Sequence, residues 1–140
     1  MIMSKLTLNE VIKSSKVVVH KGRYAYLTAQ ETSAALITIN NHFLFSKDQD
    51  EITVVTEEKN VPKVQFDKEV KWFKLIEIKV SLPFVAKGFL AKVTKTIADK
   101  DLNVLVVSTF SKDYILVREE TYLIAVEALK EVGFPVAIED

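Results

Sequence analysis

Two short stretches hold the residue types whose spacing could do chemistry. The first, Val80-Ser81-Leu82-Pro83-Phe84-Val85-Ala86-Lys87-Gly88-Phe89-Leu90, joins an apolar strand to an amphipathic helix. First-turn amides of a helix have no partner inside the helix, so such a junction can hold a small carboxylate. Gly88 would let a ligand approach the backbone closely. The same residues also make a tight strand-to-helix turn with no ligand at all, because Gly88 permits it and Pro83 stiffens it. The second stretch runs from Val107 through Ser108-Thr109-Phe110-Ser111-Lys112-Asp113 to Val117, placing small hydroxyls beside a carboxylate that could face a cationic group. Ser111 and Asp113 are equally ordinary turn formers.

Catalysis finds little else to work with. The chain has no Gly-x-Ser-x-Gly elbow, no Gly-rich phosphate loop and no His-Glu-x-x-His. Its clustered acids, Asp48, Asp50, Glu51, Glu57 and Glu58, fall in loops and strand ends and read as solvated rims, not as a desolvated acid–base pair. Arg23 and Arg118, the only arginines, lie outside any Gly-rich loop, which argues against an acylphosphatase-like enzyme. No catalytic residues are expected. His20 and His42 sit in separate apolar segments without a third ligand at helical or turn spacing, so no metal site is expected either. Zero Cys removes disulfides, thiolate zinc sites and iron–sulfur clusters. No cofactor is implied.

Composition narrows the partners. The 19 Lys+Arg balance the 19 Asp+Glu across 140 residues, so no overall field draws in a polyanion or an anionic membrane surface. RNA binding on a sheet would need paired exposed aromatics with flanking basic residues, and the hairpin offers Phe110 and Tyr114 in a chain of even charge balance. No apolar run reaches the roughly 20 residues that span a bilayer, and residues 1–16 show no secretory pattern. The expectation is a cytoplasmic protein with no nucleic-acid or membrane partner. With 49% hydrophobic and 27% charged residues, the chain is ordinary globular material that can bury roughly 70% of its unfolded surface.

The elements that position the two stretches follow from periodicity. Thr7-Leu8-Asn9-Glu10 is a capping box opening a helix over about 8–15. Strands are expected at 16–20, 23–27, 42–46 and 51–57, while 29–40 is ambiguous between helix and strand. A polar passage follows Val61-Pro62. Lys74 to Val80 then alternates, burying Ile76, Ile78 and Val80 and turning Glu77 and Lys79 outward. From Gly88 the period becomes helical, with Leu90, Val93 and Ile97 on one stripe. Strands at 104–110 and 113–118 turn around Ser111-Lys112. A helix carrying Tyr122, Ala125, Val126, Leu129 and Val132 stops at Gly133, and an edge strand at 134–138 contains Pro135.

Residues 74–139 therefore spell β-α-β-β-α-β, the ferredoxin-like plan of a four-stranded antiparallel sheet backed by two helices. Laid over 103–120 at an offset of 62, residues 41–58 pair Asn41 with Asn103, Ser46 with Ser108, Val55 with Val117 and Glu57 with Glu119. This is the mark of a duplication, or of two unrelated hairpins matching by chance. On the duplication reading, residues 1–70 form a degenerate N-terminal unit with a leading short helix and 71–140 a complete C-terminal unit, the two packed side by side. The first lacks its second helix because Val61-Pro62 falls where that helix should run.

Gly88-Phe89-Leu90-Ala91, Ile97-Ala98-Asp99 and Val107-Ser108-Thr109-Phe110 with Asp113-Tyr114-Ile115-Leu116-Val117 resemble the ACT-domain family. The likeness is to its small tandem-ACT branch, related to the arginine-sensing CASTOR proteins. Gly22-Arg23-Tyr24-Ala25-Tyr26 and the hairpin from Phe45 to Val55 look like the matching front half. The resemblance spans most of residues 20–134. It implies α+β architecture with two ACT-type units and a small ligand, an amino acid, bound at an interface between units. It places the ligand-binding surface on Ser81, Val85, Gly88, Phe89, Ser108, Thr109, Phe110 and Asp113. The function it implies is non-catalytic sensing by a homodimer, since edge strands and apolar sheet surface call for a second copy. The alternative is a structural dimerisation module with no ligand.

Overall fold

The computed structural model describes residues 7–30, 42–80 and 87–140. Ser81 and Val85, and all but the first two residues of the ambiguous stretch 29–40, lie outside the described residues. Helix α1 (Leu8–Ser14) opens on the capping box: the Glu10 amide donates to the Thr7 hydroxyl and the Thr7 amide to the Glu10 carboxylate, both at 3.1 Å. Strands β1 (Lys16–Val19), β2 (Tyr24–Ala29), β3 (Leu44–Lys47) and β4 (Ile52–Glu57) follow, then a 3-10 turn over Glu58–Lys63 and strand β5 (Phe66–Lys79). Helix α2 (Phe89–Ala98), strands β6 (Leu105–Ser108) and β7 (Asp113–Arg118), a 3-10 turn over Glu119–Thr121, helix α3 (Tyr122–Glu131) and strand β8 (Val136–Ile138) complete the chain.

The chain divides into two compact units, Met1–Lys21 with Lys74–Asp140, and Gly22–Phe73. The boundary expected at 70/71 misplaces the first residues, which join the C-terminal unit. In that unit β1 runs antiparallel to β5, with Val17 opposite Ile78 and Val19 opposite Ile76. Val17, Val19 and Ile12 are all buried in the same core. The last strand also departs from the expected plan. β8 pairs in parallel with β1, which occupies the place beside β5 that a simple ferredoxin-like order assigns to the last strand. Non-local pairing of this kind leaves no trace in local periodicity.

On the other side β7 pairs with both β5 and β6. Helix α2 buries Val93 and Ile97 of the expected stripe, with Phe89 in place of Leu90, which is half-buried. Helix α3 buries Ala125, Val126 and Leu129 and stops at Gly133, whose φ of 106° lets the Phe134 amide reach back to the Leu129 carbonyl at 3.1 Å. Each large side chain so buried contributes about 1.5–3 kcal/mol.

The second unit is built on β4, which pairs with β3 and β2, while β2 also pairs with the first half of β5. Its core holds Ala25, Leu27, Ile52, Val54 and Val64. β5 starts at Phe66, well before the expected Lys74. Residues 67–71 are all exposed, so pairing with β2, and not an apolar face, makes them a strand. Pro62 sits inside the 3-10 turn, in the place where the missing helix was expected.

The two hairpins correspond at an offset of 61, not 62. Leu44 opposite Val55 becomes Leu105 opposite Leu116, Ile52 becomes Asp113, and the 3-10 turn at Glu58 becomes the one at Glu119. A one-residue slip exchanges the faces of a strand, so the matched letters at 62 do not mark equivalent positions.

Candidate functional site

Strands β6 and β7 meet through a four-residue corner, 109–112, longer than the turn expected around Ser111-Lys112. The Thr109 amide donates to the Lys112 carbonyl at 2.8 Å and the Thr109 hydroxyl to the same oxygen at 3.3 Å. At the strand ends the Ser108 hydroxyl donates to the Asp113 carboxylate at 2.7 Å. In the same unit Gly88 caps α2 with φ 78°, in the left-handed region, and no side chain caps the first turn. The Lys92 amide closes that turn onto the Gly88 carbonyl at 2.9 Å.

Between this helix start and the hairpin corner lies a cavity of about 260 Å³. Its floor is apolar: Ile78 and Val80 from the β5 end, Phe89 and Leu90 from α2. Its rim is polar, with Ser108, Thr109, Ser111, Lys112 and Asp113, and Phe110 stands at its edge with 84% of its surface exposed. Of the expected binding residues, the fold thus brings Phe89, Ser108, Thr109, Phe110 and Asp113 to one cavity, with Gly88 adjoining it at the helix cap.

Sequence reasoning missed Lys112. Its ammonium lies 3.5 Å from the Glu77 carboxylate, and the nearby Tyr114 phenol, then Glu77, raise it above the ordinary lysine value, so it stays charged. Glu77 does not point away into solvent as its alternation suggests. One of its oxygens is 3.0 Å from His20 Nε2, and His20 Nδ1 is 3.1 Å from Glu139. Glu139 in turn accepts from the Lys21 amide at 3.0 Å, which is the chief cause of its lowered pKa. A chain of polar contacts therefore runs from the C-terminal end of β8 through the β1 end to Glu77 of β5 and on to Lys112 of the hairpin corner. The unexpected insertion of β1 brings His20 and Glu139 to Glu77.

Among the described residues no cluster of three or more His, Cys, Asp or Glu is placed to hold a metal ion, and no helix is long and apolar enough to cross a membrane.

The segment that builds the cavity is the one that finds a family. Residues 69–131 match the ACT domain model. The fold agrees. The chain is similar to a protein of unknown function from Vibrio cholerae, with TM-score 0.74, 20% identity, and coverage of 93% of this chain and 98% of that one. A protein from Agrobacterium tumefaciens gives TM-score 0.73 at 20% identity, covering 90% and 94%. The ligand-free regulatory subunit of aspartate kinase from Thermus thermophilus gives 0.62 at 8% identity, covering 87% and 97%. No curated protein matches the chain. The architecture is α+β with an ACT-type, ferredoxin-like sheet, as the resemblance implies.

Proposed function

We propose that this chain is a non-catalytic regulatory module that binds an amino acid in the cavity between α2 and the β6–β7 corner. One observation carries the reading: the start of α2, with its uncapped first turn, and the anion Asp113 border one cavity with an apolar floor, a positive and a negative end for a zwitterion. The first-turn amides of α2 add positive potential beside Gly88. At about 260 Å³ the cavity has room for a ligand of amino-acid size.

The equivalent hairpins at offset 61 support a tandem arrangement like that of the CASTOR-related branch. A second copy completes the binding surface. β6, which among the described residues pairs with β7 alone, offers an edge without a charged side chain, and Val106 and Phe110 are exposed apolar groups there. Ligand occupancy then biases assembly, because closure over the cavity is shared between copies.

Calorimetry and thermal shift against the twenty amino acids test the proposal. At least one should bind and raise the melting temperature, and Asp113→Ala should abolish the shift. If none binds, the module is not an amino-acid sensor. The reading that would replace it, a dimerisation platform without ligand, draws on the Ser108–Asp113 hydrogen bond, which already satisfies the rim internally. An oligomeric state indifferent to every amino acid and to Gly88→Ala with Asp113→Ala is what that reading requires.

A further inference from the structure

We infer that His20 is a proton-operated clasp: its protonated ring bridges Glu77 and Glu139 and fastens the end of β8 to the sheet, and its neutral ring lets that end go. The ring stands between two carboxylates, with Nε2 3.0 Å from Glu77 and Nδ1 3.1 Å from Glu139. A carboxylate only accepts, and a neutral imidazole carries a single N–H. Both contacts are therefore hydrogen bonds only while both nitrogens hold a proton. Histidine is the side chain whose ordinary titration falls between about pH 5 and pH 8. The second bond is present on the acid side of that window and is lost as pH rises through it.

From β5 the ring meets Glu77, whose other oxygen is 3.5 Å from the Lys112 ammonium beside Tyr114, and from the end of β8 it meets Glu139. On its own stretch the Lys21 amide donates to Glu139 and holds that carboxyl below its ordinary value, so Glu139 is an anion throughout the window. The two acids are unequal partners, with the Glu77 side chain 18% exposed and that of Glu139 42%. Depriving the more buried acid of a donor costs more, so a neutral ring keeps its N–H on Glu77 and gives up Glu139. What is given up is lightly held. β8 has three residues, pairs with β1, and leaves Ala137 and Ile138 exposed. Just beyond it the Glu139 amide donates to the Val19 carbonyl at 2.9 Å, so the residue that His20 grips is also the last one tied to the sheet. A strand end with so little apolar burial opens locally at small cost, and one polar contact is enough to shift that opening.

The test is amide hydrogen exchange on the full-length protein between about pH 5 and pH 8, with the His20 ring protons followed by NMR in the same samples. Rates are expressed as protection factors, which remove the intrinsic pH dependence of exchange. The Glu139 amide should lose about two- to fivefold in protection across the window, the factor that a partly exposed ion pair supplies, with a midpoint matching the titration of the ring. The Phe134 amide, bonded to the Leu129 carbonyl ahead of β8, should hold constant. His20→Gln should leave the Glu139 amide at its high-pH level throughout. Glu139→Ala should do the same for the amide at that position, while His20 still titrates. Protection of the Glu139 amide that ignores the ring's titration in the wild-type protein overturns the clasp, and so does a pH dependence that survives in either variant.

Discussion

The β3–β4 and β6–β7 hairpins share one backbone and put it to different uses. Each has a four-residue corner closed by the same bond, Asp48 amide to Glu51 carbonyl at 3.0 Å in one and Thr109 amide to Lys112 carbonyl at 2.8 Å in the other. In the first, the Asp48 carboxylate accepts from the amides of Asp50 and Glu51 at 2.8 and 2.9 Å, so the corner consumes its own charge. In the second, Ser108 ties to Asp113, Lys112 reaches to Glu77, and Phe110 stands in solvent. A hairpin therefore supplies position only. What differs is what lies across from the corner, which for the second is the start of α2 and the cavity.

The largest test of this contrast is in the cores. Ile97→Ala, at a fully buried position in the unit with the cavity, should lower the free energy of unfolding by about 2–5 kcal/mol, and Leu27→Ala in the other unit should fall in the same range. Denaturant melts check both. A loss below about 1 kcal/mol at either site would mean that the unit is not packed as described.

A finer probe uses two glycines with nearly equal backbone, Gly22 at φ 82° and Gly88 at φ 78°. A Cβ at either meets no described atom closer than 3.7 Å, so strain and not crowding sets the cost, about 1–2 kcal/mol for Ala in the left-handed region. The two substitutions should destabilise alike, yet only Gly88→Ala should weaken ligand binding. Equal effects on binding would show that the helix cap has no special part in the site.

The smallest effect concerns pH. Hydrogen bonds from the Asp50 amide, then the Glu51 amide, hold the Asp48 carboxyl below its ordinary value. Its folded pKa is thus below the unfolded one, so its contribution is complete above the ordinary carboxylate range and is lost as pH falls through the depressed value. Asp48→Asn should flatten the acid side of the stability curve. Thr109→Val, at the equivalent corner position, should leave that slope alone. A matching change from both would dissolve the distinction between the corners.

Much of the fold is legible from local pattern. The capping box at Thr7 and Glu10, the stop at Gly133 and the proline that forestalls a second helix at Pro62 each act within a few residues. The lining of the cavity was legible in part, because Ser108, Thr109, Phe110 and Asp113 lie at one hairpin end and need only that hairpin to be neighbours. Glu77 shows where such reasoning stops. Its alternation with Ile76 and Ile78 places it on the opposite face correctly, but that face is covered by His20 and the Lys112 side chain, so it is half-buried and paired.

Periodicity, capping and turn chemistry are short-range, and so the amino-acid sequence by itself determined the helices, most of the strands and which residues form the corner beside Gly88. Four things were decided only by the tertiary structure: the first half of β5 paired with β2, β1 inserted between β5 and β8, the hairpins equivalent at 61 and not 62, and Lys112 drawn to Glu77. The reason is the same in each case. Strand partnership and ion pairing are settled by groups far apart in the chain, whose meeting is fixed by the burial of Val17, Val19, Ile76 and Ile78 in one core and by no feature of any single segment.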